Sequence, residues 1–170
     1  IYRPKHSAGK LPVVMYIHGG SFRILSKDTH WLAGVQFASQ GMLCVNVNYR
    51  LAPANPYPSQ LEDVMDVLRW LKECAQDYGG DPTRLVIAGE SAGANLALAL
   101  TVGSCFEFDD PIAHRIWDLG GPPDLVMPAC GILEVTRPER FDRDPRTQNW
   151  LIRDRIRAVT RSYLPQWSAG

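Results

Sequence analysis

Ser91 is the residue best placed to do chemistry. It stands in Gly89-Glu90-Ser91-Ala92-Gly93, a G-x-S-x-G pattern between the apolar run Arg84–Ala88 (RLVIA) and the stretch ANLALAL. A strand before and a helix after give that pattern its meaning. The turn joining them is so tight that side chains two residues before and after the serine would collide, hence the two glycines. Such a turn lifts the hydroxyl above a sheet, at the N-terminal end of a helix. Free N–H groups and the helix dipole there favour negative charge, which suits a nucleophile in acyl transfer. A glycine-rich turn with an N-capping serine would carry the same letters.

An acyl-transfer serine also needs donors aimed at the developing oxyanion. His18-Gly19-Gly20-Ser21 directly follows the apolar run Leu11–Ile17 (LPVVMYI). The candidate donors are the backbone N–H groups of Gly19, Gly20 and Ser21, with that of Ala92 after the nucleophile. His18 is expected to hold its loop by hydrogen bonding and not to act as a base. Glu90 is expected to be a structural hydrogen-bonding residue.

A base and an orienting acid must complete the set. His114 is the only histidine after Ser91, and it falls in the long connection 103–123, with no strand end to hold it. His6 and His30 precede the nucleophile, and Asp118 and Asp124 come too early to serve as the acid. The acid and base are therefore expected beyond Gly170, and this polypeptide alone is expected to be a very poor esterase.

These groups need a frame. Leu11–Ile17, Met42–Tyr49, Arg84–Ala88 and the weaker Asp124–Ile132, interrupted by Pro128, read as strands. Near-continuous apolar runs fit a parallel sheet covered on both faces. Between the second and third strands, Leu61, Val64, Met65, Leu68, Leu71, Ala75 and Tyr78 recur at helical spacing. Ser59 and Glu62 suggest a capping box before that helix, and Gly79-Gly80 ends it. Asn95–Val102 and Ile152–Leu164 are two further helices, and 103–123 reads as a surface connection. The order is that of an α/β fold.

The chain has 170 residues, 45% hydrophobic and 21% charged, which excludes a disordered tail or a coiled coil. No apolar run is long enough to span a bilayer. Eighteen basic residues balance eighteen acidic ones, so no nucleic-acid footprint is expected. Residues 137–170 hold eight arginines and four acids, read as a solvated helix face with interleaved charges. Cys44, Cys74, Cys105 and Cys130 lack zinc-site spacing, and no metal is expected. Cys44 and Cys130 are expected in the core, and a cytoplasmic, reducing setting is the default. Residue 1 is Ile, which suggests a cut or processed N-terminus.

Four segments carry a resemblance. HGGSF at 18–22, YRLAP at 49–53, GGDPTR at 79–84 and GESAGANLA at 89–97 resemble the hormone-sensitive-lipase-like group of α/β-hydrolase esterases. Residues 142–165 are similar to the segment lying over that family's active-site cleft, so 137–170 is expected on the cap side of a partial catalytic domain spanning 1–170. The resemblance implies a cofactor-free hydrolase of short- to medium-chain carboxylic esters. In it Ser91 is the nucleophile, and the oxyanion hole is built from the loop Gly19–Ser21 and Ala92. Ser21 replaces a glycine common in the family, Asn48 an aspartate and Ala94 a glycine. About half of the family's mostly parallel sheet, with helices on both faces, is expected in this chain. Another chain or a C-terminal portion is expected to cover the open edge. A hydrolase-derived pocket that binds a small ligand without cleaving it fits the same residues. An interaction protein using the arginine-rich helix is a third reading.

Overall fold

A computed structural model describes residues 1–137, 139 and 150–167. Strands β1 (Leu11–Ile17), β2 (Leu43–Val47), β3 (Gly80–Glu90) and β4 (Leu125–Ala129) form one parallel sheet in the order β2-β1-β3-β4. The chain leaves β1 toward β2, then crosses back so that β3 pairs with the other side of β1. The strand order therefore reverses between β1 and β3, the place where open α/β sheets open a crevice at their strand ends. Ile17 is paired with Gly89, so the loop after β1 and the turn after β3 emerge at the same level.

Parallel strands need long crossovers, and helices supply them. Helices α1 (Trp31–Ser39), α2 (Ser59–Cys74) and α3 (Ala92–Cys105) follow β1, β2 and β3. Alternation along β1 splits the core. Val13, Met15 and Ile17 pack with Val64, Met65 and Leu68 of α2 and Leu96 and Leu100 of α3. Val14 joins Cys44 and Ala88 on the opposite face, beside Phe37 of α1. Helix α4 (Pro111–Trp117) lies inside the stretch expected to be a surface connection. Helix α5 (Trp150–Tyr163) returns to the main core through Val159 and Tyr163. The aromatic ring of Tyr163 stacks on that of Phe22, with centroids 3.8 Å apart.

Several expectations change. The capping box at Ser59 and Glu62 does not form: the α2 N-cap is Pro58, without a side-chain cap bond. Glu62 is drawn instead to the Arg50 guanidinium, 3.0 Å away, which also holds Asp63. Cys130 is exposed, whereas Cys44 is buried and its thiol is pushed up to about 12 by burial. Strand β4 lies at one end of the sheet, with Leu125 and Met127 exposed. Arg140, Asp142, Arg143, Asp144 and Arg146 lie outside the described residues, as does the side chain of Ile152.

Candidate active site

The turn from β3 to α3 is strained at one residue. Ser91 has φ 51° and ψ −113°, a backbone conformation that L side chains rarely adopt. Such strain costs on the order of 1–3 kcal/mol and persists where surrounding structure enforces it. Here the enforcing contacts are visible. The Ser91 N–H donates to the Ala129 carbonyl at 2.8 Å, and its own carbonyl accepts from Asn95 at 3.2 Å. A Cβ on Gly89 would lie 2.4 Å from the Gly93 carbonyl oxygen. A Cβ on Gly93 would lie 2.0 Å from that of Ile17. Both glycines are therefore steric necessities, and they let α3 begin directly against β1.

The H-G-G-S loop lies against this turn. A Cβ on Gly19 would come within 2.9 Å of Glu90 Oε1 and 3.3 Å of Ser91 Cβ. The backbone of Gly19 thus runs beside the serine at the N-terminal end of α3, next to Ala92, itself buried. Gly20 has φ 110°, and its carbonyl accepts from the N–H groups of Arg23 and Ile24. Ser21 and Phe22 follow with φ 57° and 61°. Three consecutive residues with positive φ curl the loop tightly enough that the Gly20 carbonyl accepts from two N–H groups at once, while the Phe22 carbonyl accepts from Ala52.

His18 anchors the loop from below. It is buried, its Nδ1 lies 2.7 Å from the Gly19 carbonyl, and its ring stacks on that of Tyr49 at 4.3 Å. The Tyr49 hydroxyl donates to the carbonyl of His18 at 2.9 Å and sits 3.3 Å from that of Gly19. Burial, followed by the neighbouring Glu90 charge, raises the Tyr49 phenol and keeps it a neutral donor. Burial also lowers the His18 pKa, an effect that outweighs its bond to Gly19.

The residue sequence reasoning missed is His30. Its Nε2 lies 3.0 Å from Glu90 Oε1, and its ring stacks on that of His18 at 5.6 Å. Its carbonyl accepts from Asn46 Nδ2 at 2.9 Å. Position 30 precedes α1 without any motif, so only the fold brings it to Glu90. Glu90 therefore has His30 as a hydrogen-bonding partner. His114 is elsewhere, half-exposed on α4 and 3.7 Å from Glu107. Among the described residues, no histidine is hydrogen-bonded to Ser91, and no group of three or more metal-ligating side chains is gathered. No helix among them is long and apolar enough to cross a membrane.

The geometry can be set beside known proteins. A family described as alpha/beta hydrolase fold matches residues 14–169. The chain is 38% identical over 124 residues to carboxylesterase NlhH of Mycobacterium tuberculosis, covering 72% of this chain and 35% of that protein. It is 38% identical over 147 residues to arylacetamide deacetylase of Oryctolagus cuniculus, covering 81% and 35%. Among solved structures, the thermostable carboxylesterase EstE1, cloned from a metagenomic library, superposes with a TM-score of 0.69 at 28% identity, covering 94% of this chain and 52% of that one. Carboxyl esterase 2 of Tuber melanosporum gives a TM-score of 0.74 at 22% identity, covering 94% and 50%, a likeness of fold alone. The chain spans about a third of the length of these two curated relatives and about half of the two solved structures.

Proposed function

The chain belongs to the α/β-hydrolase fold family, in its hormone-sensitive-lipase-like group, and from that premise we propose that it carries the nucleophile and oxyanion hole of a carboxylic-ester hydrolase. Ser91 Oγ attacks the ester carbonyl carbon. The developing oxyanion is met by backbone N–H groups of the Gly19–Ser21 loop and of Ala92. The substrates are short- to medium-chain acyl esters, and no cofactor takes part. Helix α5 lies on the cap side of the cleft. The observation that carries this reading is the strained backbone of Ser91, pinned at the switch point with Gly19 against its Cβ.

The test is hydrolysis of p-nitrophenyl butyrate by the chain and by its Ser91→Ala variant. With no histidine bonded to Ser91 among the described residues, turnover is expected to be slow, and Ser91→Ala is expected to remove it. Equal rates in the two proteins overturn Ser91 as nucleophile. The same residues fit a second reading, a site that binds the ester without cleaving it. Binding with buffer-level hydrolysis in both proteins would select it.

A further inference from the structure

A cavity of about 250 Å³ opens beside the oxyanion loop, between that loop and helix α5. Its walls include Gly20, Ser21, Arg23, Pro53, Arg155 and Val159. It is lined by Gly20 and Ser21, the residues that follow Gly19, so it borders the loop that would hold the ester. Sites for drug-sized ligands run roughly 300–1,000 Å³, so this one suits a short branch.

Two arginines line this small space, and neither meets a carboxylate among the described residues. Several other arginines among the described residues are paired with carboxylates. Arg50 holds Glu62 and Asp63, Arg69 holds Asp66, Arg84 holds Asp81 and Arg137 holds Glu134. On α5 itself, Arg161 lies 3.9 Å from Asp154. Arg23 comes from the loop and Arg155 from the helix, so two elements distant in sequence bring exposed arginines to the wall of one cavity. An anion there would meet two positive charges and match the planar donor fork of guanidinium. A neutral aliphatic branch would meet Ala52, Ala158 and Val159 but leave both cations unanswered.

We propose that this cavity selects esters in which one branch ends in a carboxylate, with Arg23 and Arg155 as its specificity-determining residues. The inference rests on the ester-site reading above and names its substrate class.

Equilibrium binding is measured by calorimetry on the Ser91→Ala chain, so that no ester is consumed. Monoethyl succinate is compared with ethyl butanoate, and 3-acetoxypropanoate with propyl acetate. The first pair places the carboxylate on the acyl branch and the second on the alcohol branch. One anionic ester is expected to bind about tenfold or more tighter than its neutral counterpart. Substituting both Arg23→Gln and Arg155→Gln is expected to erase the difference, with circular dichroism unchanged. Raising ionic strength from about 0.01 M to about 0.15 M shortens the Debye length from about 30 Å to about 8 Å and is expected to shrink the preference. No preference in either pair, no binding of any ester, or a preference that survives the double substitution overturns the proposal. Failure of Ser91 as nucleophile is read separately, from the hydrolysis assay, and leaves this comparison intact.

Discussion

His30 reaches Glu90 across sixty positions of sequence, Nε2 to Oε1 at 3.0 Å, and Glu90 directly precedes the strained Ser91. The pair ties the segment before α1 to the turn after β3. The carboxylate side chain is 46% exposed and the imidazole only 14%, so solvent screens the charge while the ring is packed. A screened pair of this kind contributes about 0–1 kcal/mol. Glu90→Gln keeps an acceptor oxygen and is expected to cost under about 1 kcal/mol in urea unfolding. His30→Ala also removes a ring that stacks on His18 and packs tilted against Tyr16, and is expected to cost at least about 2 kcal/mol. A larger loss from Glu90→Gln than from His30→Ala would show that charge, not ring packing, holds the turn.

Gly93 sets how closely α3 can approach β1. A methyl there would sit 2.0 Å from the Ile17 carbonyl oxygen and 2.7 Å from that of His18, and backbone cannot step aside as a side chain can. Gly103, on the same helix, would place its methyl 3.1 Å or more from Ile116, whose side chain can shift. Gly93→Ala is therefore expected to cost about 3 kcal/mol or more, and Gly103→Ala no more than about 1 kcal/mol, since overpacking penalties depend on what must move. Urea midpoints of the two variants check the contrast. Similar midpoints would mean that α3 has slack against β1.

Much of this frame is legible in the chain itself. The runs forming β1, β2 and β3 are apolar because both faces of these parallel strands are covered, and α2 shows its stripe because one face meets water. Helix α1 escapes that logic. Gly34 interrupts it, yet the glycine is required, since a Cβ there would fall 2.3 Å from the Tyr2 ring. Helix α4 does announce itself locally: Asp110 Oδ1 accepts from Ile112 and Ala113 at 3.0 Å, ahead of Pro111 in the first turn. The capping box failed because Arg50, distant in local pattern, competes for Glu62. The motifs place Ser91 and Gly19 side by side, but no pattern names His30, Arg23 or Arg155. Their roles depend on which loops the sheet brings together.

Ser21 offers a test of the loop's backbone. Its φ of 57° lies in the left-handed region, where glycine is unstrained. Relief of strain on the order of 1–2 kcal/mol is set against the extra freedom glycine gains when unfolded, about 0.5–1 kcal/mol. Ser21→Gly is thus expected to leave stability unchanged or raise it by up to about 1 kcal/mol, measured by thermal unfolding. It is also expected to leave the loop's N–H groups in place, so hydrolysis of p-nitrophenyl butyrate should not fall. A loss of stability beyond about 1 kcal/mol would assign the Ser21 hydroxyl a contact that holds the loop.

His18 gives the fold a dependence on pH with a definite sign. Burial lowers its pKa from the ordinary value of 6.5, and the nearby His30 lowers it further, while the Gly19 carbonyl and the Glu90 carboxylate oppose both. The unfolded chain therefore binds this proton at higher pH than the folded chain does. Between the two pKa values the unfolded state holds more protons, so stability rises with pH there. The contribution of His18 is fully present above the unfolded value of 6.5 and is lost as pH falls toward the folded one. One group titrating this way changes stability by at most about 1.4 kcal/mol per pH unit. Urea unfolding of the chain is expected to weaken from pH 7 to pH 5. His18→Gln is expected to be less stable throughout, because the ring stacked on Tyr49 is gone, but to have a flatter slope over that interval. The slope, not the offset, isolates the proton. Parallel curves for the two proteins would show that His18 is not what couples this fold to acid.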